Sequence, residues 1–331
     1  MGLWQIIRGL LGSSEANPYR AAGAPDGPVG RGSAAAAPSP PKRSRRRPPK
    51  FFLADLALRL GRDSNALSQI AVEYETFSIA KRSGGRRTIH APQPGLKALQ
   101  RDILRKVLGG LKAHPAVNGF RRGRSIVTNA LPHVGHSVLV RLDIRDFFPS
   151  TTARRVEEYF RFIGYDDSSA ALLTRICTHQ GALPQGAPTS PCLSNLLNYR
   201  LDARLSALAA KMGATYTRYA DDMAFSFSEP ADAARVNMLV SAAQLVLSGF
   251  GYRTHHRRKR SVRRRHMAQC VTGIVVNDKA NLPRATRRRL RAVRHHLMTG
   301  KEASLTAAQL AGWDALQHMI KVQSVPPSVP Q

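Results

Sequence analysis

Three aspartates carry the first recognisable chemistry in this chain. Asp143 closes the apolar run SVLVRLD, while Asp221 and Asp222 stand side by side in TYTRYADDMAFSFS, between two runs that alternate apolar and polar residues. Carboxylates are hard oxygen donors, and magnesium is held by one or two of them together with substrate phosphates and water. Two such ions about 4 Å apart stabilise both the attacking and the leaving oxygen of an in-line displacement at phosphorus. Three Asp residues on neighbouring strands are a sufficient donor set for that chemistry. The pair alone is ambiguous, because Asp also favours ordinary hairpin turns that bind nothing.

The elements that must position these residues can be read on either side of them. Leu53, Leu56 and Leu60 repeat at helical spacing, and Asp63 or Ser64 offers a cap for a second helix through Leu67 and Ile70. FSIAKRSGGRRTIHAP predicts a basic hairpin turning at Ser83, Gly84 and Gly85. Leu96, Leu99, Ile103 and Val107 then share a helix face that Gly109 and Gly110 break. SVLVRLD reads as a buried strand delivering Asp143 at its end. A helix after Ser150 turns Val156, Phe160 and Ile163 inward. A longer one, capped at Ser190 with Pro191 at its first position, carries Leu193, Leu197, Leu201 and Leu205 and ends at Gly213. The Asp pair follows at the tip of a hairpin. Beyond it come a helix with Val236, Leu239, Val240 and Leu247, a strand-like VTGIVV and a basic helical tail. This order predicts an α+β fold, an antiparallel sheet with helices packed on one face.

Charge narrows the partners. Fifty-one Lys and Arg against 21 Asp and Glu leave the 331 residues at +30, so a polyanion is expected. An anionic membrane would also satisfy that charge, but no stretch approaches the roughly 18 apolar residues that cross a bilayer. Nucleic acid is favoured and no membrane role is expected. Residues 1–12, MGLWQIIRGLLG, read as a short amphipathic helix rather than a signal peptide, because Arg8 interrupts the apolar run. From Ser13 to Lys50 the chain turns to Ala, Gly, Pro, Ser and Arg and offers little apolar surface to order it. Cys177, Cys192 and Cys270 lack the spacing of a metal knuckle and read as core thiols of a reducing cytosol.

The motifs together resemble a known family. YADD (Tyr219 to Asp222) resembles the catalytic turn of reverse transcriptases, LDIRDFFPS (Leu142 to Ser150) their first catalytic motif, and LPQGAPTSPCLSN (Leu183 to Asn195) their template- and nucleotide-handling motif, all in family order. Asn129, Ala130 and His133, with Val271, Thr272 and Gly273, are similar to two elements of bacterial retron-type enzymes. The likeness spans about Phe51 to Arg294. It implies a right-hand polymerase fold: helices and fingers over 51–135, a palm over 136–250 and the end of the palm with a small basic thumb over 251–331, all preceded by the basic segment 1–50. It also implies an RNA-directed DNA polymerase that uses two Mg2+ ions and deoxynucleoside triphosphates. Such an enzyme copies part of a structured noncoding RNA into a short single-stranded DNA (msDNA), in the cytoplasm, in antiphage defence and with an effector protein as a further partner. The alternatives are a group II intron-like or diversity-generating reverse transcriptase, which the two retron elements argue against, and a noncatalytic RNA-binding scaffold, which would not need three Asp residues.

The resemblance also assigns roles. Asp143 and Asp221 bridge both metals and Asp222 supports them. Phe148 blocks a ribose 2′-hydroxyl; adjacent to Phe147, it faces the opposite side on a strand end, so one ring is core and the other can reach substrate, with core packing of Phe148 the other reading. Arg87 is the phosphate contact, Lys81 and Arg86 either joining it or forming a solvated tip. Gln185 and Gly186 open a loop where a small residue lets backbone approach the nucleotide, and Tyr219 lies on the substrate side. Arg121, Arg122 and Arg124 meet template or primer backbone. Asn129 and His133 either touch nucleic acid or fix a loop by hydrogen bonding. GYRTHHRRKRS departs from the family's Asn and Lys-Lys-Thr pattern, so Lys259 or His256 is expected to donate the proton to pyrophosphate, and Arg258 and Lys259 to contact nucleic acid. On the last basic helix Arg284, Arg288 and Arg291 share one face, and Leu290, Val293 and Leu297 another.

Overall fold

The computed structural model describes residues 50–81, 84–255 and 260–324. The expectations for residues 1–49, for Ser83 and for His256, Arg258 and Lys259 lie outside these described residues. Helix α1 (Leu53–Leu60) leads into α2 (Ser64–Ser68), which Asp63 caps by accepting from the Asn65 and Ala66 amides. Strands β1 (Tyr74–Ala80) and β2 (Arg86–Pro92) form the expected hairpin, paired from Tyr74 with Pro92 to Ala80 with Arg86. Helix α3 (Pro94–Ile103) runs into a π-helical turn at Leu104–Leu108 that stops before Gly109. A short α4 (Ile126–Ala130), capped by Ser125, precedes β3 (Val138–Asp143). Helices α5 (Ala153–Phe162), α6 (Asp167–Cys177), α7 (Ser190–Leu197) and α8 (Tyr199–Lys211) separate β3 from the hairpin of β4 (Ala214–Tyr219) and β5 (Asp222–Phe227). Then come α9 (Ala233–Ser248), β6 (Ser261–Arg264), the two-residue strands β7 (Cys270–Val271) and β8 (Ile274–Val275), α10 (Arg284–Met298) and α11 (Ala307–Ser324).

The central sheet has strand order β4-β5-β3-β6, each neighbouring pair antiparallel. Side chains alternate across a strand. Val138, Val140 and Leu142 of β3 and Met223, Phe225 and Phe227 of β5 therefore face one way, onto Leu201 and Leu205 of α8 and Leu239, Val240 and Leu247 of α9. Leu139 and Ala224 face the other way and pack with α4, β7, β8, α10 and α11 through Val127, Val271, Ile274, Leu290, Leu310 and Ile320. The sheet is thus covered on both faces, which revises the expectation of helices on one face only. A third core joins α1, α3, α5, α6 and α7 around Leu56, Leu99, Ile103, Phe160, Leu173 and Leu193. Among the described residues no helix is long and apolar enough to cross a membrane.

Four local expectations need correction. The long helix expected from Ser190 to Gly213 is two, broken at Asn198, whose amide donates to the Ser194 carbonyl and the Tyr252 hydroxyl while its oxygen accepts from Arg155. An Asn side chain that bonds nearby backbone competes with the helix ladder. The cap falls on Thr189, not Ser190, and makes no side-chain capping bond. VTGIVV is a tight turn rather than one strand, because Thr272 and Gly273 take φ of +47° and +84° between β7 and β8. Leu297 stays 36% exposed while Leu290 and Val293 are buried, and the basic α10 is followed by α11, whose Leu310 and Ile320 are core.

Candidate active site

The β4–β5 hairpin turns through two residues, Ala220 and Asp221, since Tyr219 pairs directly with Asp222. Ala220 takes φ +55°, a left-handed value that an L side chain adopts at a cost. On the other side of β5, Asp222 pairs with Asp143. Residues opposite each other on antiparallel strands hold their Cβ atoms about 4.5–5.5 Å apart. The Ile144 amide donates to the Asp221 carbonyl at 3.0 Å and ties the turn to the end of β3. All three aspartates are therefore assembled at one end of the sheet, from sequence positions 78 residues apart (221 minus 143).

Two basic side chains flank these carboxylates. Arg141 lies two residues before Asp143, hence on the same face, and its guanidinium donates to both Asp222 oxygens at 2.6 and 3.3 Å. His255 Nε2 sits 3.4 Å from Asp143 Oδ1, and the His255 amide donates to the Asp143 carbonyl at 3.0 Å. The side chains of Asp143 and Asp222 keep 23% and 24% exposure, so solvent reaches both. An all-carboxylate donor set suits a hard, oxygen-seeking cation. Among the described residues no three His, Cys, Asp or Glu side chains converge tightly enough to cage an ion unaided.

The turn is braced from two sides. Residues Ala116 to Gly119 run beside β4, the Arg218 amide donating to Ala116 and the Asn118 amide to Arg218. Gly119 lies so close to the turn that a Cβ there would come within 2.7 Å of the Ala220 nitrogen. From the side of α8, the fully buried Arg218 side chain pairs with the equally buried Asp202. Burial works against the guanidinium charge, but the Asp202 carboxylate outweighs it and the net effect raises the Arg218 pKa above its ordinary value.

Of the two adjacent phenylalanines, Phe147 is core, stacked on Tyr252 at 5.8 Å, and Phe148 is half-buried. The Phe148 ring lies 6.4 Å from Phe120, which lies 6.2 Å from Tyr219. Phe120 is 48% exposed at φ +59°, so a large apolar ring is presented to solvent beside the Asp turn. Sequence reasoning gave no role to Phe120, Arg141, His255 or the Arg218–Asp202 pair. Arg141 was readable from strand alternation; Phe120 offered only its place next to an arginine-rich turn.

A family model described as reverse transcriptase (RNA-dependent DNA polymerase) matches residues 79–255, more than half the chain and the whole of the Asp site. This chain belongs to the reverse transcriptase family. Among curated relatives, the Retron Mx162 reverse transcriptase of Myxococcus xanthus is 42% identical over 282 residues, covering 75% of this chain and 58% of the relative. The Retron Mx65 reverse transcriptase of the same organism is 41% identical over 265 residues, with 75% and 61% covered. The Retron Ec86 reverse transcriptase of Escherichia coli is 33% identical over 258 residues, with 76% and 77% covered. These relatives make it a retron-type member, although it spans only about three fifths of the length of the two Myxococcus proteins.

The remaining candidate residues divide by burial. His133 is wholly buried, one ring nitrogen bonded to the Ser226 hydroxyl of β5 at 2.6 Å and the other to the Thr217 hydroxyl of β4 at 2.8 Å. Burial, helped by nearby His136, lowers its pKa to about 3, so the ring is neutral. Asn129, 1% exposed, accepts from Asn118 beside the same strands. Neither residue has surface to offer nucleic acid, so that expectation gives way to the other one: both brace the sheet by hydrogen bonding. Arg121 is half-buried and donates to the His114 and Val117 carbonyls, which makes it a loop brace, while Arg124 is exposed.

Arg87 is exposed on β2 opposite Ile79. The Gln185 carbonyl accepts from the His90 amide of that strand. Gly186, at φ +135°, presses on the same residue, where a Cβ would meet the His90 oxygen at 2.7 Å. The close backbone approach seen at Gly186 is thus to the β1–β2 hairpin. Arg284, Arg288 and Arg291 are all exposed on α10. Arg291 also lines a groove of about 580 Å³ between α10 and α11, with Lys279, Arg287 and Lys321.

Proposed function

We propose that this chain is the RNA-directed DNA polymerase of a retron, copying part of a structured noncoding RNA into a short single-stranded DNA with deoxynucleoside triphosphates. The observation that carries this reading is the Asp143–Asp222 strand pairing with Asp221 in the adjoining turn, inside a segment matched as reverse transcriptase. In this reading the β1–β2 hairpin and the helices up to residue 135 are fingers, the four-stranded sheet is the palm and α10 and α11 are the thumb. Asp143, Asp221 and Asp222 would hold two magnesium ions, which when bound stabilise the attacking and leaving oxygens of nucleotidyl transfer.

The protein's own side chains do the rest. Arg141 fixes the orientation of the Asp222 carboxylate through its two-point contact. In this reading Phe148 is the ring that blocks a ribose 2′-hydroxyl and selects deoxynucleotides, a role supported by its half-exposed ring near Phe120, which in turn neighbours Tyr219. Arg87 meets the triphosphate, and Gln185 sits on the adjoining loop. Arg124 and the exposed arginines of α10 hold nucleic-acid backbone, which carries register but no sequence. Lys259 or His256 donates the proton to pyrophosphate, because arginine is always charged and is a poor acid. Service in antiphage defence with an effector protein, in the cytoplasm, completes the proposal and rests on the retron resemblance.

Sequencing the nucleic acid that copurifies with the chain tests this reading. A single RNA species with a complementary short DNA is the expected result. Heterogeneous cellular RNA with no DNA complement would count against a dedicated template.

A further inference from the structure

We infer that Arg218 is a positioning residue for the Asp221–Asp222 turn, its guanidinium gripping the turn's backbone while Asp202 locks the guanidinium in place. This deepens the polymerase reading and rests on it. Arg218 spends one edge on Asp202, Nε to Oδ1 and Nη2 to Oδ2, both at 2.7 Å. The remaining arm, Nη1, donates to the Ala220 carbonyl at 2.9 Å and to Asn195 Oδ1 at 3.3 Å. Tyr216 holds the other partner, its hydroxyl donating to Asp202 at 2.9 Å.

A fully buried ion pair is weak evidence of a stability role, since apolar replacements are often as stable. Here the surplus donor is aimed at the carbonyl of Ala220, the residue held at positive φ immediately before Asp221. The Gly119 backbone lies against the amide of that same residue, where a Cβ would come within 2.7 Å of the nitrogen. Ala220 is therefore hydrogen-bonded at its carbonyl and closely packed at its amide. Asn195 joins the two contacts, because its Oδ1 accepts from Arg218 and its Nδ2 donates to the Gly119 carbonyl at 2.8 Å. Asn195 belongs to α7, which follows the Gln185–Gly186 loop. Lysine cannot substitute, for a single ammonium lacks the planar fork that spans Asp202 and Ala220 at once.

The test compares the full chain and its Arg218→Lys variant, each with its copurified RNA, by thermal melting, single-nucleotide addition and hydrogen exchange at Ala220 to Met223. The expected result for a folded variant is a tenfold or greater loss of kcat with KM for the nucleotide changed less than twofold, and faster exchange confined to the turn. A folded variant with wild-type kcat, or one altered in KM alone, overturns the inference. If Arg218→Lys does not fold, Asn195→Ala takes its place, with a smaller loss of kcat at constant KM expected and an unchanged kcat decisive against it. Should the wild-type chain add no nucleotide at all, the polymerase reading fails. The exchange measurement then judges the grip by itself, and an unaltered turn refutes it.

Discussion

Phe147 and Phe148 show how one residue's direction decides its role. Strand β3 ends at Asp143, so both rings lie in the turn that follows it and not at the strand end expected; that turn sends Phe147 into the core and leaves Phe148 half-exposed, its ring 6.4 Å from Phe120. Phe148→Val should keep the fold and raise ribonucleotide use relative to deoxynucleotide use by tenfold or more, read as the ratio of kcat/KM values; an unchanged ratio would assign selection elsewhere. His133 makes a second prediction. Its folded pKa of about 3 lies below the ordinary 6.5, so the unfolded chain takes up a proton that the folded chain refuses. The stability linked to His133 is complete above pH 6.5 and is lost progressively as pH falls toward 3. His133→Gln should flatten the decline of melting temperature between about pH 7 and pH 4; parallel declines would contradict it. The Asp residues were legible in sequence because an apolar run and a turn are local signals. The Arg218–Asp202 pair was not, since it joins a helix to a strand and each partner alone reads as an ordinary surface charge.

At the scale of elements, the hairpins, β3, α3 and α9 followed from period and from turn residues, which act over a few positions. The break at Asn198 did not, because it depends on Arg155 and Tyr252, remote in sequence and brought together by folding. The Ala116–Gly119 segment was equally hidden: it carries no periodic signal, yet it lines β4 and supports the turn. Gly119→Ala would press a methyl group on the Ala220 amide, backbone that cannot swing aside. A destabilisation on the order of 1–3 kcal/mol is expected, with nucleotide addition slowed beyond what the melting shift explains. Gly110→Ala, which meets nothing within 4 Å, is the control. Equal behaviour of the two variants in melting and in nucleotide addition would show that the close approach at Gly119 is unimportant.

The whole molecule carries +30, and its exposed α10 arginines present part of that charge beside the groove shared with α11. Neutralising phosphates releases counterions, so affinity for RNA should fall steeply with salt. Replacing Arg284, Arg288 and Arg291 together by Gln should weaken binding and lower the slope of log K against log salt by about 0.7–0.9 for each phosphate that is no longer neutralised. An unaltered slope would leave these residues as solvated charge. Composition announced a polyanion at this scale without locating it, because net charge has no address until folding gathers it. The most direct test of the central claim is DNA synthesis on an RNA template by the wild-type chain and by Asp221→Asn, at saturating nucleotide and with magnesium. The account predicts magnesium-dependent extension by the wild type and none by the variant; equal extension by both, or none by either, would contradict it.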